Sequence, residues 1–241
     1  MKHLGVILII FVLNGYASDG TTFQEQAARL QNINAWLLDY RPATAPVKPS
    51  KNQFLVSLDL TPQPDVNTRV GDKEEPISPP SVVPRLRIGY GFKQGWVVSG
   101  TYVPSIEYDG YETDLFSLDL GYRFKWKSLN FATRISYSDG DVQGPITDSQ
   151  IQDDFSFTNQ GFDLSVGKTF KNLHFYGFAG SGHTETALDV NADGSHLENT
   201  DSALYGGLGA SIQLRRLVFT LEQNFTDHYL QHLIFNVSYR F

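Results

Sequence analysis

Charged side chains recur in this chain at every second position of otherwise apolar stretches. Asp59, Asp119, Asp163 and Glu222 stand against Arg85, Arg87, Arg123, Arg134 and Arg240, most of them with an apolar neighbour on either side. The two signs nearly balance. An isolated charge taken out of water costs several kcal/mol, so residues of this kind on one enclosed face must pair and hydrogen-bond with one another. The chemistry they predict is an internal ion network, not a reaction centre. Catalytic candidates are sparse. Asp227-His228 and His183 could exchange protons, but adjacent residues on a strand point to opposite faces, and no nucleophile, base and orienter converge by spacing. The expectation is a non-enzymatic protein. The histidines lack metal-ligand spacing. The chain contains no cysteine, which removes thiolate metal sites, disulfides and a lipid-anchored cysteine.

A second group of residues is suited to cations. Asp189-Val190-Asn191-Ala192-Asp193-Gly194 resembles the first half of an EF-hand calcium loop, with oxygen donors at alternate positions and a glycine for the sharp turn. The resemblance covers these six residues. The bidentate Glu expected at the twelfth position is replaced by Thr200, so a calcium site here would need Glu198 or Asp201 in its place. An ordinary acidic surface loop fits the same residues, and the protein is expected to need no cofactor.

The elements that position these groups begin with an export signal. Met1-Lys2-His3 is basic, Leu4 to Leu13 is apolar apart from Gly5, and Gly15-Tyr16-Ala17 offers small residues before a cut after Ala17. That pattern predicts a signal peptide over 1–17, too short to cross a bilayer as a helix. Residues 18–50 form an appendage. Thr22 and Glu25 have capping-box spacing, and Phe23, Ala27, Leu30, Ile33, Leu37 and Tyr40 make one helical stripe. Arg41-Pro42 ends the helix, and a proline-rich linker follows. The helix is expected on the periplasmic side, either folded back into a barrel mouth or docked on a partner or the inner leaflet.

From Lys51 to Phe241 the period becomes two. Phe54, Val56, Leu58 and Leu60 alternate with Leu55, Ser57, Asp59 and Thr61, and similar segments recur to the end of the chain. Very short basic connections (Lys93-Gln94-Gly95, Lys125-Trp126-Lys127, Lys171-Asn172, Arg215-Arg216) alternate with long acidic ones near 62–82, 106–113, 139–156 and 184–201. A soluble sandwich also alternates, but short turns at one end and longer loops at the other are the mark of a transmembrane barrel. The last strand carries Leu233, Phe235, Val237, Tyr239 and Phe241 on one face. It resembles the C-terminal signature of bacterial outer-membrane β-barrels, with Tyr239 and Phe241 as the residues the barrel-assembly machinery reads.

The sequence therefore predicts an all-β, antiparallel, up-and-down transmembrane barrel over 51–241 in a Gram-negative outer membrane. Ten strands are counted, with eight or twelve open because the segment Phe155–Phe162 breaks parity, through a bulge or an earlier loop end. Ten strands enclose a modest lumen that paired long side chains would largely fill. The function expected is an interaction scaffold whose acidic loops meet divalent cations, lipopolysaccharide, or an extracellular or periplasmic protein. The alternative is a narrow, porin-like channel preferring cations. The omptin family of barrel proteases is a third comparison, but its acidic pairs are not found here. With a net charge of −7, nucleic acid is not an expected partner.

Overall fold

The computed structural model describes residues 23–39, 44–49, 51–62, 82–108, 110–148, 150–226 and 231–241. The leader expected over 1–17, the Arg41-Pro42 helix stop and Asp227-His228 lie outside these residues. One helix, α1 (Phe23–Leu38), precedes ten strands: β1 (Gln53–Pro62), β2 (Val82–Gly91), β3 (Trp96–Tyr108), β4 (Tyr111–Trp126), β5 (Leu129–Asp148), β6 (Ile151–Phe170), β7 (Leu173–Val190), β8 (Ser195–Leu214), β9 (Leu217–Thr226) and β10 (Gln231–Arg240). Each strand pairs antiparallel with its sequence neighbours, and β1 closes on β10 through Leu55 opposite Arg240. Closure leaves no unpaired edge at the level of the outward apolar belt, which the hydrocarbon interior of a bilayer requires.

The start of β1, the end of β10 and the tight turns lie at one end, read as periplasmic. In three of those turns a non-glycine residue takes a left-handed φ: Lys127 at 56°, Lys171 at 57° and Arg215 at 56°. That sign lets a two-residue link follow the twist of its strands. Aromatic rings ladder around the same end, with Tyr239 and Phe241 at 4.7 Å, Phe54 and Phe241 at 5.8 Å, and Trp96 and Tyr122 at 5.0 Å between centroids. Above them Leu86, Leu118, Ile135, Leu164, Leu208 and Leu221 all point outward and are exposed. Apolar side chains facing out around a closed barrel form the band that lipid covers.

Strand length separates two halves. Ten residues, as in β1, β2, β9 and β10, rise about 26 Å at a tilt of about 40°, enough for an apolar band of about 25 Å. The 20 residues of β5, β6 and β8 rise about 52 Å and so stand well clear of the band. Here the structure corrects the expected loops. Most of 106–113, 139–156 and 184–201 is strand, and the links shrink to two residues between β3 and β4 and between β5 and β6, and to Asn191–Gly194 between β7 and β8. Polar residues on the outward face do not end a strand, since its backbone remains paired.

The apparent parity break at Phe155–Phe162 is resolved without a bulge in the β6–β7 ladder, whose register runs unbroken from Asp154 opposite Asp189 to Phe170 opposite Leu173. Phe155 and Phe157 are buried inward while Phe162, Leu164 and Val166 face out. The strand passes from lipid to water between these groups, so its apolar residues change face. Above the membrane the barrel is built like a soluble protein, with Val103, Tyr111, Leu115, Val142, Phe155, Phe157, Leu188 and Val190 packed inside. Asp153 ties two outer turns together: Thr147 donates to its Oδ2 through N and Oγ1, both at 2.6 Å, and Asn191 N donates to Oδ1 at 3.0 Å.

Helix α1 is not on the periplasmic side of the barrel. It lies inside the bore, with Ala27, Leu30, Ile33, Ala35 and Trp36 buried. Leu30 and Ala35 join the outer apolar cluster, and Ile33 and Trp36 pack with Tyr176, Phe178, Ala203 and Tyr205. An amphipathic helix needs an apolar surface for its stripe, and the upper bore supplies one that the sequence assigned to exposed loops.

Candidate functional site

The nine charged residues that alternate with apolar ones all face the bore. Arg134 donates to Asp163 Oδ2 from Nε at 2.8 Å, pairs with it from a terminal nitrogen at 2.7 Å, and lies 3.9 Å from Asp119. The Tyr205 hydroxyl donates to the same Asp163 oxygen at 3.0 Å. Arg87 donates to Asp59 at 2.6 Å, and the Asn236 amide donates to the other Asp59 oxygen. Glu222 accepts from the Tyr176 hydroxyl at 2.6 Å. Arg123 donates to Thr44 Oγ1 at 2.8 Å, and Arg240 to Gln213 Oε1 at 2.9 Å. Carboxylates shared between guanidinium and phenol donors in this way are held in fixed geometry.

The plug contributes to the network. Asp39, just past the end of α1, accepts from Ser138 Oγ at 2.7 Å and lies 3.9 Å from Arg85. Among the described residues it brings the carboxylates of the membrane-level bore, with Asp59, Asp119, Asp163 and Glu222, level with Arg85, Arg87, Arg123, Arg134 and Arg240. Strand alternation gives no access to Asp39, which follows the helix and lies outside every strand. Its one trace in the sequence is the surplus of an arginine over the strand carboxylates. Higher up, Gln31 donates to the Leu197 carbonyl at 2.7 Å, and Asn199 donates to Asn32 Oδ1 at 2.6 Å. Trp36 lies against Tyr205 at 5.8 Å between rings and over Gly182, where a Cβ would come within 2.5 Å of the indole. Gly207 and Gly209 likewise leave room for the rings of Phe178 and Tyr176. Between the linker and the periplasmic end, a space of about 60 Å³ remains, lined by Thr44, Arg87, Arg123, His174 and Arg240 among others.

The outer face of the upper barrel carries a different site. Asp139 opposes Thr158, Thr158 opposes Glu185 and Glu185 opposes Thr200, and one row higher Asp141, Ser156, Ala187 and Glu198 continue across the same strands. These residues line a cleft of about 370 Å³. Asp141 is held above the usual carboxylate range, by partial burial first and then by the charges of Asp139 and Asp114. Carboxylates at this spacing repel one another and attract cations.

The calcium-loop residues are scattered over this face. Asp189 and Glu198 both accept from His196, at 2.5 and 3.3 Å. Asn191 donates to the Gln152 carbonyl at 2.7 Å, and Asp193 accepts from Ser195 N at 2.9 Å in the turn closed by Gly194. Among the described residues no group of three or more His, Cys, Asp or Glu is placed to hold a metal ion. His183 lies on the outer face, 3.7 Å from Glu185 and 3.0 Å from Ser202.

A closed antiparallel barrel with an outward apolar belt, an aromatic girdle and an ionic bore defines a class: the fold is that of a transmembrane β-barrel. No protein-family model matches the chain, and no curated sequence matches it. Solved structures of similar fold include Ail, the attachment invasion locus protein of Yersinia pestis, at 12% identity and TM-score 0.37 over 81% of this chain and 100% of that one. Neisserial surface protein A is similar at 11% identity and TM-score 0.37, over 78% and 97%. The β domain of the Bordetella autotransporter Brka is similar at 14% identity and TM-score 0.49, over 80% and 99%.

Proposed function

We propose that the protein is a non-conducting, non-enzymatic barrel that serves as an interaction scaffold at the cell surface. The observation that carries this reading is the filled bore. Helix α1 and its linker occupy the lumen from the level of Leu197 to that of Gly91, with Gln31 bonded at one limit and Pro49 seated at the other. Below the helix the ionic network takes much of the remaining space. The part left to act is the upper barrel, whose outer cleft holds Asp139, Asp141, Glu185 and Glu198. Its partner is cationic in this reading: divalent ions bridging lipopolysaccharide, or a basic protein segment. Tyr239 and Phe241, exposed at the barrel's seam, serve the assembly machinery.

The test is conductance of the refolded full-length barrel in a planar bilayer. Silence supports the closed scaffold, and a steady current sinks it. Asparagine and glutamine at the four cleft carboxylates should weaken retention of a lysine-rich peptide on the reconstituted barrel. That retention should also fall with added salt, because exposed charges are screened over about 8 Å at physiological ionic strength.

A second reading is a channel gated by the helix. It is favoured by the polar character of several plug contacts, among them Asn32 with Asn199 and Thr44 with Arg123. Current that appears only after residues 18–49 are removed supports the helix as the obstruction. Spontaneous opening of the intact protein would support gating.

A further inference from the structure

Helix α1 has a direction inside the bore, and the surrounding strands give it residue by residue. Gln31 bonds to Leu197, near the outer start of β8. Trp36 packs on Tyr205, eight positions down the same strand. Asp39 meets Ser138 and Arg85. Thr44 then accepts from Arg123, three residues before the periplasmic end of β4. Pro46 lies against Gly167, and Pro49 against Gly91, the last residue of β2. The described residues of α1 and the linker thus lie in descending order from the outer mouth to the foot of β1.

Polarity fixes this direction. The upper bore is apolar, with Leu115, Phe155, Phe157 and Leu188 around Leu30. The lower bore is ionic. Reversing the helix would set Asp39 among these apolar side chains and Leu30 beside Asp59 and Arg87. A carboxylate without a partner in that surrounding is costly by several kcal/mol.

We propose that the chain is threaded through its own barrel, so that the amino-terminal end of α1 opens at the cell surface. The inference rests on the filled bore and on the tight-turn end being periplasmic, and it does not depend on what the acidic cleft binds. The buried stripe of Ala27, Leu30, Ile33 and Trp36 holds the helix in place along this path.

Because the chain has no cysteine, single cysteines report position cleanly. Glu25→Cys marks the first turn of α1, Ala192→Cys the β7–β8 turn, Lys48→Cys the linker and Lys171→Cys a tight turn; all four native residues are exposed. The reagent is a maleimide on a polyethylene glycol chain too large to cross the outer membrane. Glu25→Cys and Ala192→Cys should react in intact cells, and Lys48→Cys and Lys171→Cys only after the membrane is opened. Labelling of Ala192→Cys but not Glu25→Cys in intact cells overturns the threading. Labelling of Lys171→Cys but not Ala192→Cys overturns it too, by inverting the barrel. Arg29→Cys, also exposed on α1, replaces Glu25→Cys if that variant does not assemble. Bilayer current through the intact protein would sink the closed scaffold while leaving these labelling results standing, so the two readings fail separately.

Discussion

Arg134 shows how tightly the bore depends on single side chains. Its guanidinium serves Asp163 through two nitrogens and sits near Asp119. Arg134→Ala leaves those carboxylates facing Tyr205 and each other, and breaking a buried pair from one side costs about 3–5 kcal/mol. The urea midpoint of the refolded barrel should fall accordingly. Arg134→Met combined with Asp163→Leu should recover much of the loss, because no charge is then left uncompensated at that pair. An unchanged midpoint for the single variant would remove the network from the stability argument. On the outer surface, His196 lies between Asp189 and Glu198. Its hydrogen bonds to Asp189 and then to Glu198 hold its pKa above the usual 6.5. A raised pKa means that the attraction is fully present below the unfolded value and fades as pH rises through the folded one. The imidazole resonances should therefore titrate above 6.5, and Asp189→Asn should move the midpoint down.

At the scale of the element, α1 and β7 are fitted to each other at Gly182. Any side chain there collides with the Trp36 indole, whose ring already lies 2.5 Å from the position of a Cβ. Gly182→Leu should drive Trp36 from its seat and loosen the helix; removing a buried aromatic ring from its packing costs about 3–5 kcal/mol. Limited trypsin digestion measures the change, since Arg29 is exposed on the helix. Cleavage after Arg29 should be fast in Gly182→Leu. It should stay slow in Gly100→Ala, where an added Cβ meets Leu118 at 3.6 Å, an ordinary contact. Equal protection in both variants would mean that the helix is held elsewhere.

The molecule as a whole is one barrel whose longer strands continue above the membrane, a membrane half with apolar residues outside and an upper half with apolar residues inside. The ladders allow them to be separated. Ser138 opposes Asn159 and His183 opposes Ser202, so a short turn at each place would cut β5–β8 to membrane height. The shortened barrel should still fold in detergent and keep its compact form on an unheated gel, because the belt and the lower ionic network are untouched. The helix, deprived of Leu188, Phe155, Phe157 and Leu197, should lose its seat, and single-channel current should appear. A silent shortened barrel would place the seal in the ionic network alone.

The membrane half was legible in the sequence because lipid on one side and an enclosed bore on the other impose strict alternation. Leu118, Asp119 and Leu120 declare their faces without any knowledge of their neighbours, and the terminal strand to Phe241 declares the class. The upper half was not legible by the same rule. Once a strand leaves the bilayer, water lies outside it and protein inside, so Phe155 and Phe162 on one strand obey opposite assignments while the backbone register never changes. Only the lengths of the paired ladders reveal where that change falls. The seat of α1 was likewise undecided: its stripe declares that Leu30 and Ile33 must be covered, but not by what. The tertiary structure supplied the cover, an apolar upper bore to which β3 through β7 all contribute. It also brought Asp39 to Arg85, across a sequence distance that no local pattern spans.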